Sequence, residues 1–338
     1  MATLGTSVKT LTDWAKEIDP KGKPAMIAEL LSQTNEILGD MMFKEGNLPT
    51  GERISQRTGL PTVYWRLINK GVPTSKATSA QVDEQCGNLQ ARSHVDEDMA
   101  SLEGNLNTFR LNESMAFLEA MNQEMASTLF YGSPVNPEEF VGLANRYNDT
   151  TAANGQNILN AGGSGADNSS VWLCGWGDRS VYGIFPKGSN AGLTHEDLGL
   201  DDVDDSDGNP YRAYKDLFKW KNGIALKDWR YVVRIANIDV SDLAGLSGTQ
   251  ELTDSTLLIK LMSRAVDRLP TLNGVKPVFY ANRTVLSLLR VVGLEKSSSA
   301  VTVQEGLNQF GQTIFETRFL GIPVRLVDAL TEAEAVVS

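Results

Sequence analysis

The sequence is poor in the residues that most site chemistry needs. Its 338 residues hold two cysteines, Cys86 and Cys174, and two histidines, His94 and His195. A disulfide framework needs more thiols, as does a structural zinc site, and a histidine-rich metal centre is excluded within one chain. No stretch approaches the ~18 consecutive apolar residues of a membrane-spanning helix. Met1 to Asp19 has no basic region followed by an apolar one. No signal peptide is therefore expected, and synthesis in a reducing cytosol is. Positive charge is in deficit: 31 Lys and Arg stand against 42 Asp and Glu, a net charge of −11. That argues against an overall basic nucleic-acid binder, although a local basic face stays open.

The motifs that carry catalysis are missing too. No Gly-x-x-x-x-Gly-Lys-Ser/Thr run exists to cradle phosphates. Gly175-Trp-Gly177 starts like a dinucleotide fingerprint but has Ser180 where the third glycine belongs. The nucleophile elbow fails at Ser164, followed by Ala166, and at Ser247, followed by Thr249. His195-Glu196 opens like a zincin helix, but Gly199 replaces the second ligand. Seven acids crowd residues 196 to 207, and Gly208 offers itself as the sixth position of a calcium loop. The first and twelfth positions would then be Val203 and Tyr214, which rejects an EF-hand. A solvated acidic loop is the simpler reading, with an irregular cation site left beside it. Each histidine reads as a surface or structural residue. No enzyme, cofactor or metal is expected.

What is present is ordinary globular material: 41% apolar and 22% charged residues, in a length that admits one large domain or two to three smaller ones. Ala25 to Leu38 has a narrow apolar stripe and reads as a helix ended by Gly39. Residues 46 to 76 are cut by Gly and Pro into two β-prone runs, Glu52 to Thr58 and Thr62 to Asn69, joined near Gly59. The first run has one large apolar residue, Ile54, so the hairpin must project or pack on something else. Residues 51 to 76 carry a net +4. An ordinary surface hairpin and a functional arm both fit.

Residues 97 to 130 form the strongest helical stretch, weakened at Gly104 to Asn107. Its second half starts at Asn112 as N-cap, packs a stripe of Met115, Leu118, Met121, Met125 and Leu129, and stops at Gly132 and Pro134. Residues 133 to 170 read as loops. Strands follow at Val171–Trp176, Ser180–Phe185, Tyr211–Trp220, Ile224–Leu226 and Trp229–Ile235, with Asn222-Gly223 as a hairpin turn. The last third alternates. A helix is capped at Thr253/Asp254, and a strand covers Pro277–Ala281. Asn282 caps a short helix, Ser297 to Ser299 form a loop, and a hairpin closes at Leu320-Gly321.

Seven ordered stretches resemble one family. They are Thr108-Phe-Arg-Leu-Asn-Glu-Ser114, Met125-Ala-Ser-Thr-Leu-Phe-Tyr-Gly132, Gly142-Leu-Ala-Asn-Arg-Tyr147, Tyr182-Gly-Ile-Phe-Pro-Lys-Gly188, Asp228-Trp-Arg-Tyr-Val-Val-Arg-Ile-Ala-Asn237, Pro277-Val-Phe-Tyr-Ala-Asn-Arg283 and Gly321-Ile-Pro-Val-Arg-Leu-Val-Asp328. Together they resemble the major capsid proteins of tailed double-stranded DNA bacteriophages, in particular the epsilon-fifteen-like short-tailed phages. The resemblance implies the α+β HK97-like fold. It implies an N-terminal arm over 1–45, an E-loop hairpin and return over 46–92, a P-domain with spine helix and long strands over 93–240, and an A-domain over 241–338. It also implies hexamers and pentamers closing into an icosahedral head around double-stranded DNA. That head would assemble in the host bacterial cytoplasm, aided by scaffolding, portal and decoration or cement proteins, with no membrane. The basic hairpin faces a complement elsewhere in the chain: residues 95 to 125 carry a net −6. Arg53, Arg57 and Arg66 are therefore expected to meet Asp98, Glu103, Glu113 and Glu119 of an adjacent copy. An encapsulin-like shell, a metal-dependent enzyme and a ring-forming tail protein are the alternatives.

Overall fold

The computed structural model describes residues 33–102, 106–204, 207–241, 250–294, 301–307 and 313–338. They divide into two compact units. One takes Asn88–Met125 and Gly192–Lys221 together with Gln33; the other takes Thr34–Gly87, Ala126–Ala191 and Asn222–Ser338.

The larger unit is built on a branched sheet. Its strands are β1 (Phe43–Glu45), β5 (Ile158–Asn160), β6 (Asn168–Trp176), β7 (Val181–Phe185), the end of β9 (Pro210–Leu226), β10 (Val232–Asp239), β11 (Lys276–Ala281), β12 (Val301–Leu307), β13 (Thr313–Phe319) and β14 (Ile322–Leu326). The path runs β12-β13-β14-β11-β6-β7-β9, with β10 on β6 and β5, and β1 on β7. Every residue of β6 is buried, as its run Val171-Trp-Leu-Cys174 requires. Trp172 is its centre: Phe130 and Tyr147 pack on it at 5.9 and 6.1 Å, and the Arg234 guanidinium lies 5.1 Å over its ring.

Arg234 anchors residues 331–338 to this core. Its Nη2 meets Glu334 at 2.8 Å, both side chains being 4% exposed. Glu334 also accepts from Ser170 Oγ and, at 2.5 Å, from the Tyr131 hydroxyl. Further along, the Asn237 side chain donates to the Val337 carbonyl at 2.9 Å and accepts from its amide at 2.8 Å.

The smaller unit holds β4 (Gly87–Asp96), β8 (Leu193–Asp204) and the first part of β9 as a polar ribbon, with the first twenty residues of the long helix Leu106–Tyr131. Val95, Met99 and Phe109 make its apolar cluster, and Phe117 stacks on Phe218 at 6.2 Å.

Several expectations hold. The strands read at Val171–Trp176, Ser180–Phe185 and Pro277–Ala281 form within one to three residues of those bounds, the closing hairpin forms as read, and Asn282 caps the helix Arg283–Leu294 by accepting from the Val285 amide at 2.9 Å. Others fail for physical reasons. Thr62–Asn69 is not a strand; the partner of β2 (Gly51–Gly59) is β3 (Thr78–Gln85). Asn222-Gly223 is no turn: β9 runs straight through it, because Gly223 lets the backbone approach Gln85, whose carbonyl a Cβ there would meet at 2.6 Å. Residues 196–204 of the acidic run are no loop but part of β8, paired with β9 from Leu193↔Trp220 to Asp204↔Pro210, while Asp207 sits in a turn and Asp205 lies outside the described residues. Asn112 sits inside the long helix, which starts at Leu106. The segment 133–170 holds one helical turn, Leu143–Arg146, a second, Gly155–Asn157, and β5. The helix capped at Thr253/Asp254 begins earlier, at Gln250, and that ended by Gly293 runs to Leu294. Of the helix expected over Ala25–Leu38, residues 25–32 lie outside the described residues, 33–36 are not helical, and Gly39 lies within the single turn Ile37–Asp40. Ser297 to Ser299 also lie outside the described residues. No helix among the described residues is long and apolar enough to cross a membrane.

Candidate assembly surfaces

Both cysteines are free, and among the described residues no group of three His, Cys, Asp or Glu is placed to hold a metal. The surfaces that stand out are a hairpin and a helix face.

In the larger unit, β2 and β3 pair in register from Gly51↔Gln85 through Ile54↔Val82. Gly51 is forced: its φ is 156°, and a Cβ there would meet the Glu84 carbonyl at 1.9 Å. The root is pinned by one apolar peg and three polar ties. Ile54 is buried with Tyr182, Ile184 and Ala225, as a strand with one large apolar residue demands. Glu84 takes both Arg146 nitrogens at 2.7 Å. Tyr182 donates to Glu52 at 2.9 Å, and the Gln56 amide donates to the Leu226 carbonyl at 3.0 Å.

Beyond the root the hairpin changes character. Residues 60–77 form no strand and are exposed throughout, with Trp65 at 103%. Seven large apolar side chains stand in solvent here: Leu60, Val63, Tyr64, Trp65, Leu67, Ile68 and Val72. The tip is held by its own polar groups. Lys70 closes a turn on the Leu67 carbonyl at 3.2 Å, with Asn69 at φ 66°, and Arg66 Nε donates to the Lys70 carbonyl at 2.9 Å. A contiguous apolar patch of this kind marks an interaction surface.

In the smaller unit, the long helix changes the face it buries along its length. Phe109 points into the Val95–Met99 cluster, whereas Leu111, Met115 and Leu118 are 61%, 55% and 38% exposed. The expectation that Met115 and Leu118 pack with Met121, Met125 and Leu129 therefore fails for the first two. Among the described residues nothing covers that half of the stripe.

The same unit carries an ionic cluster that the sequence did not reveal. Asp216 is 3% exposed and lies opposite Asp197 in the β8–β9 register. Arg110 reaches both carboxylates at 2.7 Å, and His195 Nε2 meets Asp216 at 2.8 Å while stacking on Phe218 at 4.8 Å. The Arg110 guanidinium holds the Asp197 carboxyl below its usual range. His195 is thus a structural residue.

The residues expected to meet across copies are placed as follows. Arg53 is bidentate to Asp83 of its own hairpin, at 2.6 and 2.7 Å. Arg57 and Arg66 are exposed. Asp98 is exposed, and Glu113 and Glu119 are half-buried on the long helix. Glu119 accepts from the Gln33 amide at 2.8 Å and from Gln123 at 2.9 Å. Glu103 lies outside the described residues.

The family model of the major capsid protein GP7 matches residues 19–338. The chain belongs to this family. Major capsid proteins of this family build the icosahedral heads of phages, so the chain is a structural component of the virion, and its assembly joins many copies of one subunit. Among solved structures the chain is similar to that of bacteriophage Epsilon15, with a TM-score of 0.75, 28% identity and full coverage of both chains. It is similar in fold to the capsid of bacteriophage JBD30, with a TM-score of 0.50, 9% identity, and 89% of this chain and 93% of that one covered. An encapsulin from Synechococcus elongatus is a more remote likeness, with a TM-score of 0.43, 10% identity, and 63% and 91% covered. No curated protein sequence matches the chain. The HK97-like α+β class read from the sequence holds, as does the capsid reading.

Proposed function

We propose that this capsid protein assembles as hexamers and pentamers into a head that encloses double-stranded DNA without gripping its sequence. The four-part division of arm, E-loop, P-domain and A-domain is kept as part of the proposal, with the β2–β3 hairpin as the E-loop. Assembly takes place in the host cytoplasm, with scaffolding, portal and decoration proteins as further partners. The role is structural and not catalytic.

The observation that carries this reading is the hairpin: its root is fixed by Ile54, Glu52, Glu84 and Gln56, while its tip exposes seven large apolar side chains. A lone chain gains nothing from such a tip, and a neighbour does. Across that contact Arg57 and Arg66, with Arg53 behind them, face Asp98, Glu103, Glu113 and Glu119 of the adjacent copy. Opposed charge fixes register and partner choice more than it adds affinity.

The test is expression of the full chain and negative-stain microscopy, with Arg53→Glu, Arg57→Glu and Arg66→Glu made singly and together. Closed particles are expected from the wild-type chain, and assembly by the triple variant should lose its salt sensitivity or fail. A wild-type chain that stays a small oligomer under all conditions overturns the capsid assembly. Unchanged assembly and salt dependence of the triple variant overturns the charge pairing alone. Arg57 and Arg66 are the more informative positions, because Arg53→Glu also breaks the Asp83 pair.

A further inference from the structure

We infer that residues 25–32 seat on the Leu111–Met115–Leu118 face of the long helix of the same chain, as a short helix lying alongside it. The contact lies within one subunit and does not depend on the capsid reading. The stripe is exposed at spacings of four and three, so it lines one face of the helix, and among the described residues nothing covers it. The occupant follows from where the chain enters. Residues 25–32 lie outside the described residues, and the first described residue, Gln33, is already on the long helix: its amide donates to Glu119 at 2.8 Å. Glu119 follows Leu118 directly and borders the stripe. Gln33 and the stripe belong to the same compact unit. The residues just before Gln33 are therefore delivered to one end of the stripe with no loop to cross.

Those residues carry the complementary surface. Ile27, Leu30 and Leu31 stand at i, i+3 and i+4, one face of a helix, and Pro24 suits its first turn. The lengths agree. Leu111 to Leu118 rises about 10 Å, and Ile27 to Gln33 rises about 9 Å as a helix. With Gln33 fixed at Glu119, the two helices run parallel, Leu30 and Leu31 lie against Leu118 and Met115, and Ile27 lies against Leu111. Met115 is a side chain that adapts to an irregular neighbour. The tether also favours the segment of the same chain over that of a neighbour, because a short connection holds it at a high effective concentration beside the stripe.

The test places Leu30→Cys and Met115→Cys in one full-length chain and oxidises it, unassembled and in particles. A disulfide within the chain is expected, read as a monomer of altered mobility on a non-reducing gel and confirmed by mass spectrometry of the linked peptides. A second pair, Ile27→Cys with Leu111→Cys, covers the case in which the first disturbs folding. The control pairs Leu30→Cys with Ala120→Cys, which is exposed but turned away from the stripe by helix geometry and should not link. Thiol labelling of Met115→Cys alone should become about tenfold faster or more when Leu30→Asp and Leu31→Asp are added, since each leucine contributes on the order of 1.5–3 kcal/mol when buried. Neither pair linking, equal linking to Ala120→Cys, or labelling that the two aspartates leave unchanged overturns the contact. Links found only between chains, as dimers, assign the stripe to the arm of a neighbour and overturn it as well. None of these outcomes touches the capsid reading, which stands or falls on particle formation by the wild-type chain.

Discussion

Replacing Glu334 by Ala tests the account of the core most directly. In the folded chain this carboxylate accepts from Arg234, Ser170 and Tyr131, and both members of the ion pair are almost fully buried. Removing it leaves the Arg234 guanidinium inside the protein with only neutral acceptors: Tyr147 O at 2.7 Å, Ser170 Oγ at 3.0 Å and, more weakly, Ala144 O at 3.4 Å. Breaking a buried pair from one side costs about 3–5 kcal/mol, because a charge stays buried without its counterion. The Tyr131 hydroxyl loses its acceptor as well. Guanidinium slopes of roughly 2–6 kcal/mol per M turn a loss near 4 kcal/mol into a midpoint lower by about 1 M. The assay is equilibrium unfolding of the unassembled chain, followed by tryptophan fluorescence, since Trp172 lies 5.1 Å from the same guanidinium. Glu334→Gln keeps the shape and should fall between the two. The double variant Arg234→Met, Glu334→Leu should recover much of the loss, because the cost belongs to the orphaned charge. A midpoint for Glu334→Ala within roughly 0.2 M of wild type would refute this reasoning.

Three further outcomes follow from the same geometry. Ile54→Ala removes the one apolar peg of the hairpin and should cost about 2–4 kcal/mol locally, read as faster amide exchange in β2 and β3 with the core sheet unchanged; uniform exchange rates would speak against it. Burial, helped by the Glu52 charge, pushes the Cys86 thiol up to about 12, and burial alone raises Cys174, so neither should label with a thiol reagent at pH 8 in the native state; stoichiometric labelling within minutes would contradict this. Arg110 depresses the Asp197 carboxyl, so its contribution is present above the unfolded carboxylate range and is lost as pH falls through the lower folded value; Arg110→Gln should flatten that acid limb, read by amide exchange in β8 and β9, and an unchanged limb would exclude the pair as its source.

Legibility differed between the two units. The larger one was read well because its strands are buried, and burial writes itself as aromatic and β-branched runs such as Val171–Trp176 and Pro277–Ala281. The Asn282 cap was legible for a similar local reason: one side chain satisfies one helix amide. The smaller unit was read poorly. β8 is polar on both faces, so it has neither the period of two nor the apolar content that marks a strand, and its seven-acid neighbourhood looked like a loop. The hairpin tip failed in the opposite direction. Val63, Trp65 and Leu67 alternate as a strand would, but among the described residues no partner strand lies beside them. These side chains are exposed, and a pattern rule that assumes an internal core assigns such residues to the wrong structure. The Arg110 cluster had no sequence signal, since its members lie 87 and 106 positions from Arg110 along the chain.

The acidic run then takes on a definite physical role. A ribbon polar on both faces has no hydrophobic pattern to fix its register, and such ribbons are prone to slip. In β8 and β9 the register is held by ions: Lys219 meets Glu196 at 2.7 Å, and Lys215 meets Asp201 at 2.8 Å, on either side of the irregularity between Asp197 and Gly199. One exposed pair contributes little, but a slip by one residue would separate both at once and turn their side chains to the opposite face. The register brings one liability, because it sets Asp197 directly opposite Asp216, and facing like charges are destabilising. Arg110 from the long helix resolves it by reaching both carboxylates, and His195 takes the remaining reach of Asp216. The ribbon and the helix are therefore mutually dependent within the smaller unit. The helix supplies the cation that the ribbon's register requires, and the ribbon's Phe218 and Tyr214 supply ring contacts to Phe117 and Arg110. A net charge of −11 that first looked like a reason to avoid nucleic acid is, in this part of the chain, the means by which a long polar ribbon is kept in one register beside the long helix.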